Sequence, residues 1–366
     1  MARRAKPANN ATIIDVANLA GVSYATVSRV VNNKENVAPA TRVRVLAAME
    51  ELGYQANLNA RRLVSGRSYA IGLLVHNLMG PYIGEIMAGI DDVLATSNYE
   101  LMLFTTHQRR EREARYIDLM SSGMTDGLIL ILPRGLETYI RSLRQRHFPY
   151  VLVDHRGFEP TDLYVIAANW QGAYDATQHL LQLGHRRIGM ITGVIDMDNA
   201  RERVAGYQAA LEAHQVHFDA ELFVEGDYTQ LSGVNGALKL LSLADPPTAI
   251  FASNDVMAFG VLEAAHACKL RVPQDLSLVG FDDVPMASWT QPRLTTVRQP
   301  LVEMGRLAAE LLLRTLEDPE HQKQGIVVPA ELFVRQSTAP ANGGRGATVD
   351  VVNGAAAWAE AGSNVV

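Results

Sequence analysis

Thr12-Ile13-Ile14-Asp15-Val16-Ala17-Asn18-Leu19-Ala20-Gly21-Val22-Ser23-Tyr24-Ala25-Thr26-Val27-Ser28-Arg29-Val30-Val31-Asn32 reads as two short helices joined by a tight turn. Thr12 is a good N-cap, because its hydroxyl can satisfy an amide that the first helical turn leaves free. The first helix then runs Ile13 to Ala20, with Ile13, Val16, Ala17 and Ala20 inward at helical spacing. Gly21 breaks it. Ser23 caps a second helix, Tyr24 to Asn32, that packs through Val27, Val30 and Val31. Its other side shows Tyr24, Ala25, Ser28 and Arg29, neighbours at i and i+4. Thr41 is expected to cap a third helix with Val45, Leu46, Met49 and Leu52 as its core face, ending at Gly53. Three such helices form an all-α helix-turn-helix unit.

Charge points the same way. Residues 1–67 carry ten Arg or Lys against four Asp or Glu, a net of +6, so the rest of a chain of net charge −6 carries −12. A basic head on an acidic body suits a polyanion reader attached to something else. The second helix would enter the major groove of DNA. There Tyr24, Ala25 and Arg29 would face base edges, Arg29 forking onto a guanine, while Thr12, Ser23, Thr26, Ser28 and Asn32 would touch phosphates.

Working outward, the 366 residues and a 48% hydrophobic fraction imply two or three domains. No apolar run approaches the roughly 18 residues of a membrane span. The basic start Met-Ala-Arg-Arg-Ala-Lys runs into polar residues and so does not read as a secretion signal. Cys268 is the single cysteine, which excludes a disulfide framework; a cytoplasmic setting is expected. From Ala70 onward, strand-like runs alternate with helical ones. Ala70–Val75, Leu101–Phe104, Gly127–Leu132 and Tyr150–Val153 read as buried parallel strands, with helices near 82–97, 111–122 and 136–146 between them. A second series holds strands Ile188–Ile191, Ala249–Ala252 and Leu278–Phe281. Its helices lie near 170–183, 199–214, 229–241 and 255–268. Two doubly wound parallel sheets of this kind turn their strand C-termini toward one cleft.

Polar residues stand at those strand ends: Asp154, Asn254-Asp255 and Asp282-Asp283, with Arg203 near a helix start. Carboxylates, an amide and a guanidinium together suit sugar hydroxyls, which both donate and accept hydrogen bonds. Tyr82, Tyr228 and Trp289 offer ring faces. Asp282 with Arg203 also reads as a structural ion pair, and Asp255 and Asp283 as helix caps or braces.

The stretch from Thr12 to Asn32, with Thr41-Arg42 and Glu51-Leu52-Gly53-Tyr54, resembles the LacI/GalR family of bacterial repressors. So do Arg203-Val204-Ala205-Gly206-Tyr207, Ser253-Asn254-Asp255-Val256-Met257-Ala258, Val279-Gly280-Phe281-Asp282-Asp283, Leu183-Gly184-His185-Arg186-Arg187-Ile188 and Pro292-Arg293-Leu294-Thr295-Thr296-Val297. The resemblance covers nearly the whole chain. It implies a DNA-binding domain at 1–56, a hinge helix at 57–67 and a two-lobed, periplasmic-binding-protein-like effector domain at 68–340. The N-lobe would comprise 68–168 and 299–326, the C-lobe 169–298 and 327–340. In the hinge, Asn57 and Ala60 match DNA-side positions and Leu63 matches a leucine wedged into the minor groove. Tyr82, Asp154, Arg203, Tyr228, Asn254 and Asp282 match effector-side positions. Ala25 stands where the best-matching recognition helix has a glutamine, and Ile131 and Leu132 stand where relatives carry polar cleft residues.

The resemblance thus implies a repressor of carbohydrate-utilisation genes, binding a pseudo-palindromic operator as a homodimer under control of a sugar-like effector, with no cofactor or metal. Residues 341–366, rich in Ala, Gly and Val, are expected to be a disordered tail; without a leucine heptad they favour a dimer over a tetramer. Two other readings use the same cleft: a sugar-binding transport component, and an enzyme acting on sugars or nucleotides with Asp282 and Asp283 as paired carboxylates. The basic head speaks against the first. Against the second, the sequence holds no Walker A loop, G-x-S-x-G, G-x-G-x-x-G or H-E-x-x-H, and its ten histidines lack ligand spacing.

Overall fold

A computed structural model describes residues 11–31, 36–54, 67–78, 80–107, 109–318 and 325–341. Asn32, Asn57, Ala60, Leu63, nearly all of the expected hinge and all but residue 341 of the tail lie outside them. The chain divides into two compact units, Met1–Tyr69 and Ala70–Val366.

The first unit is helical: α1 (Ile13–Ala20), α2 (Tyr24–Val31) and α3 (Pro39–Glu51). Thr12 and Asp15 form a reciprocal capping box, with the Asp15 amide donating to Thr12 Oγ1 and Thr12 N donating to Asp15 Oδ2 at 2.8 Å. Gly21 ends α1 in the left-handed region at φ +61°. The Thr26 amide donates to Ser23 Oγ, so Ser23 opens α2 as expected. The core is small: Val16, Ala17, Ala20, Val27, Val30, Val45 and Ala48. Two expectations are corrected on α3. The helix begins two residues before Thr41, with Pro39 in its first turn after Ala38, because proline's fixed φ suits that position. Leu46 is 51% exposed and Ala48 takes its place in the core, as the helix is rotated relative to the expected face.

The second unit holds two six-stranded sheets. The N-lobe contains β1 (Ala70–Val75), α4 (Pro81–Leu94), β2 (Glu100–Thr105), α5 (Glu111–Leu119), β3 (Gly127–Ile131), α6 (Leu136–Gln145), β4 (Tyr150–Val153) and β5 (Tyr164–Ala167). The C-lobe contains α7 (Asn169–Gln182), β6 (Ile188–Thr192), α8 (Asp198–Ala213), β7 (Phe223–Glu225), α9 (Gln230–Leu241), β8 (Ala249–Ala252), α10 (Asp255–Ala267), β9 (Ser277–Asp282) and β10 (Thr295–Arg298). Then α11 (Leu301–Glu317) returns to the N-lobe. β11 (Ile326–Val328) joins the N-lobe sheet beside β5, and β12 (Glu331–Phe333) joins the C-lobe sheet antiparallel to β10. The chain therefore crosses between lobes three times. Because β11 runs to Val328, the last crossing falls after Val328, not after residue 326.

The strand orders are β11-β5-β4-β3-β1-β2 and β12-β10-β9-β8-β6-β7, the same doubly wound plan twice. β1, β3, β4, β6, β8 and β9 are buried along their whole length, as continuous apolar runs in parallel sheets demand. β2 departs from the expectation of a buried strand: it is a sheet edge, and Leu103 is 37% exposed. Helix α4 lies against α11 at Gly89 and Gly305. A Cβ on Gly89 would stand 1.8 Å from the Val302 carbonyl oxygen, so the contact is backbone on backbone.

Candidate functional site

In the helical unit, Tyr24 (49% exposed), Ala25 and Arg29 are exposed together on α2, opposite the buried Val27 and Val30. Thr12 and Ser23 are exposed at the starts of α1 and α2, and Thr26 and Ser28 are half-buried. Tyr24, Ala25 and Arg29, within about one and a half turns of helix, make a surface able to meet base edges, with hydroxyls at its margin.

In the two-lobed unit the parallel strands end on one another across the lobes. The switch points, where strand order reverses, lie between β1 and β3 and between β6 and β8; there the departing chains diverge and leave a crevice. Residues at or just past the strand ends that hold positive φ include Leu132 (+49°), Asp154 (+60°), Tyr228 (+69°), Asp282 (+113°) and Asp283 (+55°). A side-chain-bearing residue is strained there by about 1–3 kcal/mol, and such strain concentrates where geometry serves a ligand.

The six expected cleft residues converge. The Tyr82 hydroxyl donates a short hydrogen bond to Asp154 Oδ2. Across the cleft, Asn199 Nδ2 reaches the same oxygen at 3.4 Å, and Tyr228 Oη donates to Asn199 Oδ1 at 3.1 Å. Asn254 donates to the Tyr228 carbonyl (3.2 Å) and caps α10 by accepting from the Met257 amide (2.8 Å), so both ends of its amide are engaged. Arg203, 1% exposed, donates to Asn169 Oδ1 (2.8 Å) and to the Ser253 carbonyl, and its guanidinium lies 3.8 Å from the Phe281 ring centre. Asp282 stands 3.9 Å from Arg203 and accepts from Gln299 Nε2 at 2.7 Å. The ion pair weighed as a structural alternative thus exists, but inside the cleft cluster. Trp289 is 72% exposed and makes no hydrogen bond with that cluster among the described residues.

Burial sets the electrostatics. It pushes the Asp282 carboxyl up to about 7, against the opposing pull of Arg203 and Gln299. It also raises Asp154, against Arg203, Tyr82 and Asn199, and raises the Tyr82 phenol, which therefore remains a donor. Asp255 and Asp283 are braces. Buried Asp255 accepts from the Val284 amide (2.9 Å) and from Thr296 Oγ1 (2.5 Å), while Asp283 takes Arg298 and Arg335, each at 2.6 Å. Among the described residues no group of three His, Cys, Asp or Glu could hold a metal ion, and no helix is long and apolar enough to cross a membrane.

Sequence reasoning missed several members: His76, Glu113, Arg134, Asn169, Asn199, Ser253 and Gln299. Most obey one signal, being the first polar residues after an apolar strand. Five buried side-chain atoms there lack a hydrogen-bond partner: His76 Nε2 after β1, Arg134 Nε after β3, Asp154 Oδ1 after β4, Ser253 Oγ after β8 and Gln299 Oε1 after β10. The lobes are drawn together, with Arg156 of one 3.2 Å from Glu202 of the other. The cavity beside Asp154, Asn169 and Asn199 is about 10 Å³, room for about one water.

A model of the lacI family of bacterial regulatory proteins matches residues 12–57, and one of a periplasmic binding protein-like domain matches 177–338. The chain is 33% identical over 328 residues to the HTH-type transcriptional repressor PurR of Aliivibrio salmonicida, covering 89% of this chain and 98% of that protein. It is similar to the crystal structure of the lac repressor dimer bound to operator and the anti-inducer ONPF (TM-score 0.82, 30% identity, 90% of this chain and 100% of that one). It is likewise similar to a complex of the transcriptional regulator CelR with cellobiose (TM-score 0.68, 33% identity, 89% and 99%).

Proposed function

The chain belongs to the lacI family of bacterial regulatory proteins, DNA-binding regulators of transcription, and on that premise we propose that it represses carbohydrate-utilisation genes under control of a sugar or sugar derivative held between its lobes. It is a regulator rather than an enzyme, like the relatives named above. On the DNA side, Tyr24, Ala25 and Arg29 read base edges of a pseudo-palindromic operator, and Thr12, Ser23, Thr26 and Ser28 position the helix on phosphates. A homodimer supplies two such helices.

One observation carries the effector reading: the five unpartnered buried atoms at the strand ends. Left unmade, each such hydrogen bond costs about 1–3 kcal/mol. Two are nitrogens, one is a carboxyl oxygen, one an amide oxygen and one a hydroxyl, so the ligand that satisfies them both donates and accepts at several points. A polyhydroxylated ring does so; an apolar ligand does not. Asp154, Arg203 and Asp282 contact its hydroxyls, Tyr82 and Tyr228 flank its ring, and Asn254 holds the Tyr228 loop. Ligand held across the cleft favours one lobe arrangement over another, and that preference biases operator affinity. The CelR structure, with cellobiose, supports this choice of ligand class.

The test has two stages. Selection from random duplexes should return a pseudo-palindrome bound in a strongly salt-dependent manner. Fluorescence anisotropy on that duplex, across mono- and disaccharides, should then show at least one sugar changing the apparent Kd. A selection with no palindrome above background defeats the DNA assignment. An operator affinity that no sugar moves defeats the carbohydrate assignment.

A further inference from the structure

The N-lobe half of the cleft is not neutral. His76 follows β1 and Arg134 follows β3, so the two flank the N-lobe switch point. His76 is 8% exposed, and its Nε2 is buried without a partner. Arg134 Nε is buried without one too, and no carboxylate among the described residues forms an ion pair with it. The Arg134 charge acts electrostatically on both His76 and the Tyr228 phenol, lowering each. Its position is fixed from behind. The Glu113 carboxylate, 2% exposed, accepts from the Arg134 amide (3.1 Å), the Gly135 amide (2.8 Å) and the Tyr139 hydroxyl (3.2 Å). Glu113 thus satisfies the amides that open α6 and leaves the Arg134 side chain uncompensated.

The contrast with the other cleft charges is informative. Arg203 has Asp282 at 3.9 Å, and Asp154 has Tyr82 and Asn199. Among the described residues, Arg134 alone of these three has no side-chain hydrogen bond or ion pair. Arg134 as a whole is half-buried, but its Nε is shut off from solvent with no acceptor, and a ligand that brings an anion supplies one. From this, and resting on the polyol reading above, we infer that the effector carries an anionic group, a phosphate or a carboxylate, which Arg134 and His76 receive while Asp154 and Asp282 take hydroxyls at the other end. Arg134 gives the charge-assisted bond and His76 adds a second donor through Nε2. Burial and Arg134 together lower His76 to about 4 without ligand, so it donates as a neutral ring.

The experiment uses the full chain and sets of neutral and anionic relatives: glucose, glucose 6-phosphate and gluconate; ribose and ribose 5-phosphate; galactose and galacturonate. Thermal shift ranks them and calorimetry gives Kd for the parent chain, Arg134→Gln and His76→Gln. In at least one set the anionic member should bind roughly 10- to 100-fold tighter than its neutral parent. Arg134→Gln should erase that preference, so that the anionic member and its neutral parent bind the variant with similar Kd, and His76→Gln should reduce it in part. The phosphate and carboxylate arms identify which anion fits. Neutral parents that equal or exceed every anionic relative overturn the inference and leave the polyol reading standing. An anion preference intact in Arg134→Gln overturns the assignment to this corner. If no member of any set binds, the polyol reading falls with it.

Discussion

Gly193 follows β6 at the C-lobe switch point, and a single methyl added there meets the Tyr228 ring. A Cβ on Gly193 would stand 1.9 Å from Tyr228 Cζ and 2.3 Å from both Cε2 and Oη, where ordinary contact begins near 3.4 Å. The ring must therefore retreat by about 1.5 Å. It is held at both ends, its hydroxyl on Asn199 at 3.1 Å and its backbone carbonyl under Asn254 at 3.2 Å. Overpacking of this kind costs about 1–3 kcal/mol. For a body of this size that is a fall in Tm of roughly 2–12 °C. Calorimetry of Gly193→Ala measures it, and a double-mutant cycle with Tyr228→Ala isolates the cause. With the ring removed, the same methyl should be nearly silent, so the coupling should be at least about 1 kcal/mol in magnitude. A Gly193→Ala chain with the parent Tm, or an equal cost with and without the ring, would refute the reasoning.

Other outcomes follow from features already described. Asp282 is raised to about 7 in the folded chain and titrates near 3.9 unfolded, so the native state keeps a proton that the unfolded state releases. Its contribution is fully present below about pH 4 and is lost as pH rises to about 7, on the order of 4 kcal/mol at most. Melts from pH 4.5 to 8 should show Asp282→Asn gaining on the parent; parallel curves would contradict this. Arg29→Ala should weaken specific operator binding by about 1–3 kcal/mol by anisotropy and barely alter binding to random duplex, whereas an equal loss on both would make Arg29 a mere phosphate contact. Thr12→Ala removes half of the capping box and should cost about 1 kcal/mol. Hydrogen exchange on the full chain should then show protection across Ile13–Ala20 falling about fivefold, and unchanged protection would deny the cap its role.

Much of this molecule was legible because its strongest signals are local. The Thr12 cap, the Gly21 break and the Ser23 cap are each set by one or two residues, and long apolar runs such as Ala70–Val75 announce buried parallel strands. β5, β7, β10, β11 and β12 went unread: three or four residues carry too little periodicity to separate strand from loop, and the equally short β4 and β8 were read from their place in the alternation of strand-like and helical runs. Leu46 and Ala48 exchanged roles on α3 because helical spacing fixes a stripe but not its rotation against neighbours that sequence does not locate. At the cleft, charged residues beside glycines or in recognisable runs, such as Arg203 and Asp282, stood out. His76, Arg134 and Gln299 did not, because their significance lies in lacking a partner, and partners are defined only once the lobes meet.

The three crossings between lobes also govern how the chain is made. β5 stays an open sheet edge until β11 arrives, and Val165 pairs with Ile326, about 160 residues later. At about 5–20 residues per second of synthesis, that edge waits roughly 8–32 s. β10 likewise waits for β12, though only briefly. The helical head is complete once Tyr54 has emerged. A nascent chain therefore holds a complete helical head long before it holds a complete two-lobed body, and truncation between Tyr54 and Val328 would release the first without the second.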